Sequence, residues 1–138
     1  MRSITLIIVH CSATDPRHRY PFAQCRRDHI LHNHWKDIGY HYYIETDGTI
    51  HKGRDETMVG SHCKNHNSHS IGICYEGGIQ SGKPADTRTP QQRAALRALL
   101  EELHQSYPRA LILGHHDLNP QKSCPCYPVA REYSDLQP

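Results

Sequence analysis

The chain has 138 residues and a formal net charge of +2, from 16 basic and 14 acidic side chains, a length that suits one domain with a core of its own. So even a balance gives no support to a nucleic-acid partner. The apolar run Ile4–Val9 is too short for a membrane span or a secretory signal core, so neither stable membrane insertion nor a signal peptide is expected. The compositional outlier is the 13 histidines, the residues whose charge changes between pH 5 and 8.

In chain order, residues 4–11 read as a strand with apolar side chains on both faces, as in a strand covered on each side. Residues 22–36 form an expected helix with a ragged apolar face of Cys25, Ile30, Leu31 and Trp35, and Gly39 follows shortly after it. Residues 40–46 and 49–53 read as a hairpin, because Asp47-Gly48 is a favoured two-residue turn. Residues 70–76 are another apolar strand, and Gly77-Gly78 opens a polar loop that runs to Arg88. The clearest helix is 90–106: Thr89 and Gln92 make a capping box, Pro90 suits the first helical position, and Leu96, Leu99, Leu100, Leu103 and Tyr107 recur at helical spacing. Residues 110–114 complete the core strands. The order strand, helix, hairpin, strand, helix, strand indicates a single α/β domain, a central mixed β-sheet flanked by α-helices.

His10 and His115 fall where apolar strands end, and α/β sheets build their sites at the carboxyl ends of strands. If the fold brings those ends together, Cys124 arrives from the following loop and the three side chains form a zinc site with an open fourth position. Catalytic zinc sites keep that position free, whereas structural ones fill all four. Asp117 can brace a ligand histidine or cap a turn. Tyr40 shares a strand face with Tyr42 and Ile44, so core packing and a chemical role are both open to it. The cysteines at 11, 25, 63, 74, 124 and 126 read as reduced thiols, and the spacing of Cys124 and Cys126 is not that of a zinc ribbon.

Nine segments occur in order: Val9-His10-Cys11-Ser12-Ala13-Thr14, Ile38-Gly39-Tyr40-His41-Tyr42, Asp47-Gly48-Thr49, Gly53-Arg54, Gly60-Ser61-His62, Asn67, Ser70-Ile71-Gly72-Ile73, Gly114-His115-His116-Asp117 and Lys122-Ser123-Cys124-Pro125. Together, over about residues 4–135, they resemble the zinc-dependent N-acetylmuramoyl-L-alanine amidases, the family shared by short phage endolysins and peptidoglycan recognition proteins. The resemblance implies that His10, His115 and Cys124 bind Zn2+, that Tyr40 and Lys122 are catalytic, and that His62 and Asn67 contact substrate. It also implies that residues 1–138 are a single catalytic domain, a monomer that hydrolyses the amide between N-acetylmuramic acid and L-alanine in peptidoglycan. Without a signal peptide, such a protein is made in the cytoplasm and reaches the wall through a membrane pore, the situation of a phage or prophage endolysin. The alternatives are a non-catalytic peptidoglycan recognition module, a class that typically lacks the ligand cysteine, and a cytoplasmic wall-recycling amidase. A regulatory partner docked on the amidase surface would add to catalysis.

Two departures from that family pattern bear on the site. The loop between His115 and Cys124 is one residue longer than in the shortest phage members. Cys126 stands where a small polar residue is usual, and it can compete as a ligand, pair with Cys124 or pack. Cys63, beside His62, borders the expected cleft and is not read as a ligand.

Overall fold

The computed structural model describes residues 2–138. Strand β1 (Leu6–Cys11) is buried along its whole length, because it runs parallel to β4 (Ser70–Tyr75) on one edge and to β7 (Leu111–Gly114) on the other. β2 (Tyr42–Ile44) pairs parallel to β4 and antiparallel to β3 (Ile50–Lys52), giving a mixed five-stranded sheet of order β3-β2-β4-β1-β7. The expected mixed α/β architecture is therefore present.

Side-chain alternation divides the sheet into two unlike faces. Ile7, Val9, Cys11, Tyr42, Ile44, Ile71, Ile73, Tyr75 and Ile112 pack under helix α2 (Pro90–Ser106) with its Leu96, Leu99, Leu100 and Leu103. The opposite face carries Ile8, Tyr43 and Cys74 together with the polar side chains of His10 and Ser70. Helix α1 (Phe22–Leu31) covers part of it through Cys25. Of the candidate site residues, His10 projects from this less apolar face.

Helix α2 begins and ends as its sequence indicates. The Thr89 hydroxyl accepts the Gln92 N–H at 3.0 Å, and the Gln92 side chain accepts the Thr89 N–H at 3.0 Å. Gln92 is fully buried, and its Nε2 also donates to the carbonyls of Ile44 and Glu76. The cap thus ties the helix start to two strands. An exchange of such a cap for alanine costs about 1 kcal/mol in general.

Three expectations change. Helix α1 stops at Leu31 rather than at residue 36; His34 takes φ 60°, outside the helical region, and Trp35 folds back to donate its N–H to the His29 carbonyl. The hairpin turn is longer than two residues. Gly48 N–H bonds the Glu45 carbonyl, Gly48 sits at φ 89°, and Glu45 N–H pairs with the Thr49 carbonyl, which is a tight turn followed by a glycine bulge. The polar loop after Gly78 holds a small antiparallel ribbon, β5 (Ile79–Gln80) with β6 (Lys83–Pro84). Short helices α3 (His115–Leu118) and α4 (Val129–Glu132) follow β7. No helix among the described residues is long and apolar enough to cross a membrane.

Arg88 fastens the C-terminal segment to the loop before α2. Its side chain is 1 % exposed, donates to both oxygens of Asp86 and of Glu132, and lies 3.3 Å from the Tyr127 ring centroid. Removing one partner of a buried ion pair typically costs about 3–5 kcal/mol, and the lower bound applies here because Asp86 and Glu132 are 25 % and 35 % exposed and Asp86 keeps Arg93. Arg88→Ala is expected to lower unfolding free energy by about 3 kcal/mol, read as a lower urea midpoint at unchanged slope. A loss under about 1 kcal/mol would place the cluster with ordinary surface pairs.

Candidate metal centre

The register Val9 opposite Gly114 sets the residues that follow them, His10 on β1 and His115 at the start of α3, side by side. Their ring centroids are 4.6 Å apart. Cys124 enters from the loop after α3, and one ligand atom from each of His10, His115 and Cys124 lies within 4.8 Å of the others. The sequence-assigned trio is therefore brought together from residues far apart in the chain.

Cys124 is positioned by its surroundings. β7 ends opposite Val9, so the Cys11 N–H has no strand partner on that edge and donates to the Cys124 sulfur at 3.1 Å. The Cys124 carbonyl accepts the His116 N–H at 2.8 Å, and the next carbonyl, that of Pro125, accepts the Tyr75 hydroxyl at 2.6 Å. The hydrogen bond from the Cys11 thiol, helped by the Cys11 N–H, holds the Cys124 thiol below the ordinary thiol range against the opposing effect of burial. A thiol biased toward thiolate is the form that ligates metal. Burial, then the neighbouring His62 and His115, keeps His10 well below 6.5; burial and the charge of Lys122 lower His115. Both imidazoles are thus neutral near pH 7, as metal ligands must be.

Cys126 does not share this position. It takes φ 73°, directs its sulfur toward the Gly78 carbonyl at 3.5 Å, and packs at the margin of the main core. Of the three roles open to it, packing is the one its placement supports. The loop between α3 and Cys124 makes a turn in which Lys122 N–H bonds the Asn119 carbonyl and Gln121 N–H bonds Asn119 Oδ1. Asp117 caps: its Oδ2 accepts the Gly114 N–H at 2.9 Å.

Tyr40 lies beside the trio, its ring 5.3 Å from that of His10. It precedes β2, with its carbonyl accepting the Arg54 N–H, and it packs with Tyr43 and Cys74 on the opposite side of the sheet from Tyr42 and Ile44, contrary to the expected shared face. Burial of the hydroxyl end, with nearby thiols, pushes its phenol well above 10. Lys122 is exposed on the loop, near enough for its charge to act on both His115 and Cys124. A groove beside Tyr40 is bordered by His29, Trp35, Ser61, His62, Lys64 and Asn67.

His62 and Asn67 both border this groove, yet their polar atoms are largely committed inward. His62 Nδ1 meets His10 Nε2 at 2.9 Å and its Nε2 meets Ser70 Oγ at 3.1 Å. Asn67 Oδ1 accepts the N–H groups of His62 and Cys63, each at 2.9 Å. Burial first, then His41, depresses His62 to about 3, so its ring is neutral. The inward bond to His10 was not identified from sequence, because nothing local in Gly60-Ser61-His62 indicates a partner on β1. The groove residues His29 and Trp35, in edge contact with ring centroids 4.8 Å apart, were likewise not singled out as functional.

Comparison with known proteins identifies the family. Residues 1–127 match the N-acetylmuramoyl-L-alanine amidase family, Amidase_2. The endolysin of Enterobacteria phage K11 is 45 % identical over 124 residues, covering 89 % of this chain and 81 % of that protein. The endolysin of Escherichia phage T7 is 43 % identical over 130 residues, covering 94 % and 85 %. Among solved structures, the N-acetylmuramoyl-L-alanine amidase LysC from Clostridium intestinale URNW superposes with a TM-score of 0.79 at 31 % identity, covering 96 % of this chain and 83 % of that one. The chain belongs to the N-acetylmuramoyl-L-alanine amidase family, and its activity is hydrolysis of the amide that joins N-acetylmuramic acid to L-alanine in peptidoglycan.

Proposed function

We propose that this chain performs that hydrolysis as a zinc enzyme, a monomeric phage or prophage endolysin with residues 1–138 as one catalytic domain. The observation that carries the metal assignment is the donor set. Two neutral imidazoles and a thiol biased toward thiolate converge beside a groove, the composition of a catalytic zinc site with three protein ligands. When bound, zinc supplies Lewis acidity toward the scissile carbonyl and toward the attacking water.

The chain's own residues supply the rest. Tyr40 stays protonated because burial disfavours its phenolate, so it serves as a hydrogen-bond donor that orients the reacting groups rather than as a base. Lys122 is a cation on a flexible stem that can reach the oxygen on which negative charge develops; a donor held at that oxygen is worth roughly 10²–10³ in turnover. The muramyl peptide lies in the groove beside Tyr40. Asn67 retains its amide N–H₂ group for the peptide, while His62 offers it a ring face, since both its nitrogens are engaged. The endolysins of phages K11 and T7 support the lysis context, and in that context the protein reaches the wall through a membrane pore.

Digestion of peptidoglycan by the purified protein is expected to release stem peptides with a free L-alanine amine. New reducing sugar ends would falsify the amidase reading in favour of a glycosidase. One zinc per chain is expected by elemental analysis, and a strong chelator should abolish turnover. Cys124→Ser should lose most of the metal. Tyr40→Phe and Lys122→Ala should keep it while turnover falls on the order of 10²-fold; full activity in either variant removes that residue from the chemistry.

A further inference from the structure

A metal-ligating imidazole binds through one nitrogen, and the hydrogen bond made by the other decides how firmly the ring is held. His10 has only one nitrogen available for metal, because Nε2 is 2.9 Å from Nδ1 of His62. His62 is in turn held at its far end, with Nε2 3.1 Å from the Ser70 hydroxyl. The three residues make a continuous polar chain, starting at the metal centre and ending on β4.

The chain is built into a slot that excludes other arrangements. A Cβ at Gly72 would stand 2.6 Å from the His62 ring, and one at Gly60 would stand 2.8 Å from it. The backbone of His62 is fixed by Asn67 Oδ1, which accepts its N–H and that of Cys63. The His41 ring packs edge-on at 5.9 Å. These contacts leave the imidazole little room to swing toward the groove.

We propose that His62 is a positioning residue for the metal centre: it accepts the Nε2–H of His10, thereby fixing the tautomer that directs His10 Nδ1 to the metal. The inference rests on the zinc reading given above. The proton order along the chain then has a single solution. A metal on His10 Nδ1 requires a bare lone pair there, so the ring proton sits on Nε2 and is donated to His62 Nδ1. His62 Nδ1 must be bare, so its own proton sits on Nε2 and is donated to Ser70 Oγ. The reverse order puts a proton on His10 Nδ1 and leaves neither nitrogen of His10 available to a metal. An acceptor behind a metal-bound histidine raises ligand basicity, and loss of such a partner typically weakens metal affinity by about 10–100-fold.

Three measurements on the full chain test the role. In the zinc-loaded wild-type protein, long-range ¹H–¹⁵N correlation spectra are expected to show His62 as the Nε2–H tautomer; an Nδ1–H tautomer overturns the proposal without any mutation. Zinc affinity by chelator competition is expected to fall about 10–100-fold in His62→Leu. It should recover most of that loss in His62→Asn, whose amide oxygen takes the place of Nδ1. With cobalt(II) as the probe, the visible spectrum should shift in His62→Leu and return toward wild type in His62→Asn. A His62→Leu protein with wild-type zinc affinity and an unchanged cobalt spectrum overturns the role, as does equal loss in the two variants. Cys124→Ser, measured alongside, separates the two levels. If it too keeps wild-type affinity, the zinc assignment itself fails; if it loses metal while His62→Leu keeps it, only the positioning role fails.

Discussion

The parallel pairing of β1 with β7 is the constraint on which the site depends. Val9 opposes Gly114, so His10 and His115 leave the sheet as neighbours. The pleat makes this register sensitive: a slip by one residue would turn every β1 side chain to the other face. His10 would then point under α2 among Leu96, Leu99 and Leu100, away from His115 and Cys124. β1 is apolar on both faces and buried throughout, so its register is held by pairing with β4 and β7 on its two edges, and that pairing sets the positions of His10 and His115. β7 contributes by ending early, since its last paired residue leaves the Cys11 N–H for the Cys124 sulfur.

Two buried charged groups keep the surrounding loops in register with the sheet. Glu76, at the end of β4, is 1 % exposed and accepts from Arg19 Nε at 2.9 Å, from Tyr20 N–H at 2.7 Å and from Thr46 N–H at 3.1 Å. It joins the segment before α1 to the hairpin turn. Arg88 does the equivalent for the C-terminal segment. A buried ion pair is often no more stabilising than an apolar replacement of the same size. What these two groups add is directional: several strands and loops must meet a single side chain at hydrogen-bond distance, which only one arrangement of the loops satisfies.

Much of this was legible in the sequence, for physical reasons that differ by element. Helix α2 has a reciprocal cap, a proline at its first position and four leucines at helical spacing, and its bounds match the expected 90–106. The core strands were visible as short apolar runs, and His10 and His115 as polar residues at the ends of two of them, with Cys124 in the loop that follows. Helix α1 was read five residues too long because Trp35 is apolar and falls at helical spacing. Its packing on His29 instead bends the chain away after Leu31. The one-turn helices after Gly114 gave no periodic signal, being too short to form without the tertiary contacts that hold them. His62 could be placed near the site only by its resemblance to family motifs. Its orientation depends on the space left by Gly60 and Gly72, and no local pattern distinguishes it from the other histidines.

The choice between two thiols shows how tertiary contacts complete what spacing leaves open. Cys124 and Cys126 are nearly adjacent, chemically identical, and both follow the lysine of the motif. Only Cys124 receives a main-chain N–H from β1, with its own carbonyl tied to His116 and that of Pro125 tied to Tyr75. Cys126 lies beyond Pro125 in a left-handed conformation and is turned toward Gly78. Burial then pushes its thiol up to about 12, whereas Cys124 is held below the ordinary range by the Cys11 thiol and N–H. Identical side chains two residues apart thus acquire opposite ionisation tendencies from their contacts alone.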